Sequence, residues 1–101
     1  MPKREQLEQM LQADPDDLFL KYALGMACIS EGDTQTGLEK LTEVLQQDAD
    51  YVPAYFQSGQ ALASQGAAEE AREMLRRGIA VAEQIGDQHA AREMTEFLGT
   101  L

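Results

Sequence analysis

Three sets of residues carry side chains that could do chemistry. His89 is the only histidine, and its nearest helical companion is Glu93, four residues on. That pair supplies two ligands at most, whereas a metal site draws three or four converging side chains. Cys28 is the only cysteine. It has no internal disulfide partner, which fits a reducing compartment. A reactive thiolate needs a cation beside it, and none is adjacent in sequence. Cys28 instead falls on an apolar stripe with Leu20, Leu24 and Ala27, as a structural cysteine would. Arg72, Arg76 and Arg77 form the nearest thing to a phosphate-binding cluster. Glu69, Glu70 and Glu73 share their helix, however, and Glu69 and Glu73 stand at the spacing that pairs with arginine. That surface reads as a solvated face. No glycine-rich loop has the spacing that cradles phosphate, and no carboxylate pair comes with a pocket. The expectation is a protein with no catalytic residues, no metal and no cofactor.

Charge and composition narrow the class further. The chain has 101 residues and a formal net charge of −10, which disfavours nucleic acid, whose phosphates need clustered Lys and Arg. Residues 1–50 hold 4 basic and 11 acidic side chains, a net of −7, and residues 51–101 hold 4 and 7, a net of −3. A basic partner would therefore be favoured at the N-terminal end, although acidity also serves solubility. No apolar run approaches the roughly 18 residues of a membrane span. The opening Met-Pro-Lys-Arg-Glu-Gln has no apolar run behind its basic pair, so no secretory leader is expected. A cytoplasmic protein of one domain, 1–101, is the expectation; a chain of this size buries roughly 60–70% of its unfolded surface.

The elements that would position these residues follow from a 34-residue offset. Gly25, Gly32 and Leu41 recur as Gly59, Gly66 and Leu75. Around them, small residues match small and apolar match apolar. A period of 34 signals stacked helix-turn-helix units. The first helices run from about Asp16 to Glu31 and from about Pro53 to Gln65. Gly32 and Gly66 follow where a helix commonly ends in a left-handed residue. The second helices run over Thr34 to Gln47, with Asp33 or Thr34 as N-cap, and from about Ala67 to Ile85. Leu38, Leu41, Val44 and Leu45 mark one face of the former. Gly25, Gly37, Gly59, Ala71 and Gly78 are expected where helices approach most closely.

In these residues the chain resembles the tetratricopeptide repeat (TPR) family. The Leu-Gly element is Leu24-Gly25, with Ser58-Gly59 in the second unit. The turn is Gly32 and Gly66, the first small position Gly37 and Ala71, and the large position Leu41 and Leu75. The second small position holds Val44 and Gly78. Tyr55 fits the aromatic slot where the first unit has Lys21. Cys28 and Leu62 replace a second aromatic, and Asp48-Ala49 replaces Asp-Pro. The register extends backwards through Asp14-Pro15 to Leu7, Met10 and Leu11, so residues 3–13 read as the second helix of a half repeat. Pro15 would then occupy the first turn of the next helix. At the other end, Asp87 opens a helix over 87–101 whose Ala90, Ala91, Met94, Phe97, Leu98 and Leu101 face one way. The resemblance implies an all-α, right-handed TPR solenoid of about two and a half repeats: 3–13, 16–47, 52–85, and a capping helix, 87–101, laid on helix 67–85.

Helix 16–31 is apolar almost all round. The stripe Leu20, Leu24, Ala27 and Cys28 is expected to pack on a neighbouring helix. A second stripe is Phe19, Tyr22, Met26 and Ile29. In a resembling TPR array those positions, with Phe56 and Gln60 from the next unit, line the concave wall, and aromatics with Met suit a peptide. A second reading makes Phe19 and Ile29 core beneath helix 3–13. The carboxylate clamp of chaperone-binding TPR domains is not expected, since Tyr22, Met26, Ser30, Phe56, Gln60 and Ser64 at the matching positions include no basic residue. The implied function is a non-enzymatic protein–protein interaction module. It would bind a protein or peptide partner through Phe19, Tyr22, Met26, Ile29, Phe56 and Gln60, without nucleic acid or membrane. The alternative is a structural homo-oligomer, a homodimer through the exposed ends of the array.

Overall fold

The computed structural model describes residues 3–101. Six helices follow in order: α1 (Lys3–Ala13), α2 (Leu18–Ser30), α3 (Thr34–Gln47), α4 (Val52–Ser64), α5 (Ala68–Ile85) and α6 (Gln88–Leu98), with no strand among the described residues. They group into two compact units, 1–47 and 48–101. The first holds α1 to α3 and the second α4 to α6.

Local chemistry sets the boundaries. The helix expected from Asp16 starts at Leu18, because Asp17 is its N-cap and its carboxylate accepts from the Leu20 amide at 2.9 Å. Pro15 thus lies in the turn ahead of α2 rather than in its first turn. Asp33 caps α3 by accepting from the Thr36 amide, and Asp87 caps α6 by accepting from Ala90. α6 ends at Leu98, short of the expected 101, where Gly99 takes over as the C-cap. Three glycines stop the preceding helices. Gly32, Gly66 and Gly86 have φ of +92°, +80° and +83°. The next amide in each case reaches back five residues, Asp33 to Cys28, Ala67 to Leu62 and Asp87 to Ala82, at 2.9, 3.0 and 2.8 Å. That closure satisfies carbonyls the helix end leaves open.

In the first unit α2 and α3 touch through their backbones. A Cβ built on Gly37 would stand 2.8 Å from the Gly25 carbonyl oxygen and 2.5 Å from Cγ1 of Ile29. One on Gly25 would stand 3.2 Å from the Gly37 carbonyl oxygen. Leu41 and Val44 are fully buried on α3. The stripe Leu20, Leu24, Ala27 and Cys28 joins Leu7 of α1 in one buried cluster, with Leu11 and Ala23 against it. α2 therefore turns one face to α1 and another to α3.

In the second unit Leu75 of α5 fills the space over Gly59, its Cδ2 2.7 Å from where a Cβ would be. Tyr55 of α4 and Met94 of α6 close on Gly78 from two sides, at 2.5 and 2.7 Å from the same construction. Met94 is fully buried, so α6 does lie on α5. Phe97, expected to lie on α5, also meets Phe56 of α4, ring centroids 6.0 Å apart and tilted by 60°. Met94 and Phe97, three residues apart, share one face of α6, and that face reaches both α5 and α4.

Lys21 and Tyr55, 34 residues apart, solve one problem differently. The Tyr55 hydroxyl donates to the Ala49 carbonyl at 2.7 Å, tying down the segment ahead of α4. In the first unit Lys21 Nζ donates to Gln47 Oε1 at 2.8 Å, and Gln47 Nε2 donates to the Asp16 carbonyl at 2.7 Å.

Gly37→Ala is the sharpest test of the helix approach. The added methyl meets backbone as well as side chain, so overpacking should cost about 1–3 kcal/mol. Urea unfolding should show a lower midpoint at unchanged slope.

Candidate functional site

The residues expected to bind a partner lie on two helices, one in each unit. On α2, Phe19 is the most open large apolar side chain of the described residues, 65% exposed. It points away because α1 covers the neighbouring stripe, Leu20 and Leu24, one helical step round. The alternative that α1 covers Phe19 is therefore not what the structure shows. Tyr22 and Met26 are half-buried on the same helix. Met26 lines a hollow of about 290 Å3 with Ala27, Lys3, Ser30 and Glu31. Ile29 points elsewhere: it is half-buried and packs on Gly37 of α3.

On α4, Phe56 and Gln60 are both half-buried. Phe56 has its face-mate in Phe97, so part of its surface serves to hold α6. A spacing pattern on one helix shows which residues share a face; the phenylalanine that would meet Phe56 lies 41 positions later.

The side chains singled out for chemistry resolve as follows. His89 Nε2 stands 3.0 Å from Glu93 Oε1 in an exposed pair on α6. Arg72 pairs with Glu69. Glu73, expected to pair with an arginine too, makes no ion pair among the described residues; Arg77 lies over the Tyr55 ring instead, 5.6 Å from its centroid. An aromatic face holds the guanidinium by its quadrupole, which leaves Glu73 without it.

Cys28 is fully buried. Burial pushes its thiol up, against a smaller opposing pull from the Arg4 guanidinium. A raised thiol is a poor nucleophile at neutral pH. Arg4 is the residue that sequence reasoning missed. Its Nη1 donates to Asp33 Oδ2 at 3.0 Å and lies 3.7 Å from Glu31, while Nε lies 3.9 Å from Glu8. The capping role of Asp33 was visible in the sequence; its partner, 29 residues away on another helix, was not. The hydrogen bonds to Asp33, from Thr36 first and then Arg4, hold its carboxyl below the usual carboxylate range.

Two family models described as tetratricopeptide repeat match this chain, over residues 29–93 and 1–53. The chain belongs to the tetratricopeptide repeat family. A TPR repeat-containing protein of Pseudomonas aeruginosa is 34% identical over 97 residues, covering 96% of this chain and 92% of that one. Among solved structures, a Bordetella parapertussis protein superimposes with a TM-score of 0.88 at 30% identity, covering 99% of this chain and 87% of its own. A TPR domain protein of Salinibacter ruber gives 0.81 at 26%, covering 86% and 88%. The all-α TPR fold read from the 34-residue period is thus the observed one. TPR domains are in general protein–protein interaction modules, typically without catalytic activity, and they bind protein partners.

In this TPR chain the Asp33 contacts give a signed pH dependence. A carboxyl held below its unfolded value of about 3.9 adds stability that is fully present above that value. The contribution is lost as pH falls through the lower, folded value. Asp33→Asn keeps a capping oxygen but cannot titrate. It should be less stable than wild type at pH 7, and the gap should narrow by pH 3, as read from urea midpoints at the two pH values.

Proposed function

We propose that this TPR protein is a non-enzymatic interaction module that takes a partner segment on the open side of α2, through Phe19, Tyr22 and Met26. The observation that carries the reading is Phe19. A phenylalanine left 65% exposed on an otherwise well-packed helix contributes little to the fold, and burying it against a partner would recover the hydrophobic free energy it forgoes. The hollow beside Met26 has room for one apolar side chain of that partner, with the Ser30 hydroxyl and Glu31 carboxylate at its edge. On α4, Gln60 and the uncovered part of Phe56 supply a second set of contacts of the same kind. The acidic charge of the chain, −10, favours a partner segment that is basic around its apolar residues.

Self-association is the second reading, supported by two further exposed apolar side chains, Met10 on α1 and Ile85 at the end of α5. Light scattering after size exclusion separates them: a mass that rises with concentration supports association, and a constant 11.2 kDa species supports the partner surface.

Substitution at Phe19 tests the main reading. Phe19→Glu should change stability by no more than about 0.5 kcal/mol, as surface substitutions do. It should also abolish capture of the partners that wild type retains from the host extract, because a carboxylate would be desolvated against apolar side chains. Met26→Glu should behave likewise, since its side chain lines an open hollow. His89→Ala, on α6, is the control and should leave capture intact. If Phe19→Glu captures the same proteins as wild type, α2 is not the binding surface; if Met26→Glu collapses in a thermal melt, Met26 is core.

A further inference from the structure

α1 is held far less firmly than the pair it covers. Its one buried side chain is Leu7, with Leu11 half-buried beside the same cluster. The remainder of its hold is polar: Arg4 to Asp33 at 3.0 Å and to Glu31 at 3.7 Å. α2 and α3, by contrast, share backbone contact at Gly25 and Gly37 and the fully buried Leu41 and Val44. Elements with few buried apolar contacts open at lower free energy than the rest of a domain. The turn that joins α1 to α2 is exposed at Asp14, Pro15 and Asp16. If α1 lifts, it uncovers a continuous apolar face on α2: Leu20, Leu24, Ala27 and Cys28.

That face has a defined complement. It accepts a helix bearing two leucines four residues apart and, three residues before the first, an arginine that reaches the Asp33 and Glu31 carboxylates. Leu7, Leu11 and Arg4 meet that description, and a second copy of the chain carries them too. Exchange of α1 between copies keeps every contact of the cover and changes only the path of the turn, which is the least costly route to a dimer. We infer that α1 is a removable cover, and that the α2 face beneath it is an interaction surface whose occupant in trans is α1 of a second copy of this chain. This face adjoins the Met26 hollow, which Ala27 and, from α1, Lys3 also line, but it does not include Phe19. Its test reads Cys28 alone, so the outcome is independent of the Phe19 result.

Cys28 reports on the cover, because it is fully buried in the cluster that α1 closes. The experiment follows reaction of the native full-length chain with a disulfide-exchange thiol reagent. Urea unfolding of the same samples sets the rate that global unfolding alone would allow. Wild type should react faster than that limit. Arg4→Met keeps an apolar stem and removes the ion pairs. It should react about three- to tenfold faster still, the range expected for losing its part-exposed, charge-assisted contacts to Asp33 and Glu31. A synthetic peptide of residues 3–13 at about 1 mM, comparable to the effective concentration of a tethered segment, should slow the Arg4→Met reaction at least twofold. The same peptide with Arg4→Glu should not. Labelling at the global-unfolding rate in both proteins would show that α1 does not open by itself. No effect of the peptide, or equal effects of both peptides, would show that α1 does not dock there in trans. Any of these results overturns the inference.

Discussion

The backbone contact between α2 and α3 is the constraint on which the first unit is built. Gly25 and Gly37 each point a bare Cα at the other's carbonyl oxygen. Neither glycine is there for conformational freedom, since both sit inside helices and each costs helix propensity. What they supply is proximity. With the axes that close, Leu41 and Val44 are sealed from water, and Ile29 is drawn onto Gly37 and away from the open side of α2. The same approach is met in the second unit with different volumes. There Leu75 fills the space over Gly59, and Gly78 makes room for Tyr55 and Met94. Where the second unit pairs an aromatic, Tyr55, with a glycine, Gly78, the first unit has Lys21 and Val44 at the equivalent positions. Bulk on one helix is balanced by its absence on the next.

Fixing α2 in this way decides what its remaining faces do. α2 uses one face for α3 and one for α1. Phe19, Tyr22 and Met26 are left outside both, Phe19 exposed and the other two half-buried. The exposure of Phe19 is thus a consequence of packing elsewhere. The fold itself does not use the apolar surface that Phe19 presents there. The polar work is local and inexpensive by comparison. Asp17, Asp33 and Asp87 cap helices, three left-handed glycines end them, and among the described residues no buried side-chain nitrogen or oxygen lacks a hydrogen-bond partner.

Asp33 joins two of these levels. One carboxylate oxygen accepts from the Thr36 amide and the other from Arg4, so the residue that starts α3 also holds α1. The charge on α1 that matters most is accordingly its one arginine, in a half of the chain whose net charge is −7. Cys28, in the cluster that α1 covers, is kept unreactive by burial even though the Arg4 guanidinium pulls its thiol down. The proximity of a cation and the depression of a thiol pKa are separate matters, and here desolvation outweighs the charge.

The 34-residue recurrence of Gly25, Gly32 and Leu41 pointed to the TPR fold and to glycines at the close helix approaches, and the backward register with the Asp87 stripe added α1 and α6. Each of these depends on local rules, namely helical periodicity, left-handed glycine stops and short polar caps, that act within a turn or two of chain. The sequence also showed which residues share a face, and hence that Phe19, Tyr22, Met26 and Ile29 form one stripe. It did not show how that stripe divides. Tertiary structure sent Ile29 to Gly37, left Phe19 in solvent, brought Phe97 against Phe56 of α4, and brought Arg4 across 29 residues to Asp33. Those outcomes depend on the distance and phase between helices, which side-chain volumes on both partners set jointly. No single helix, read along its own period, contains that information.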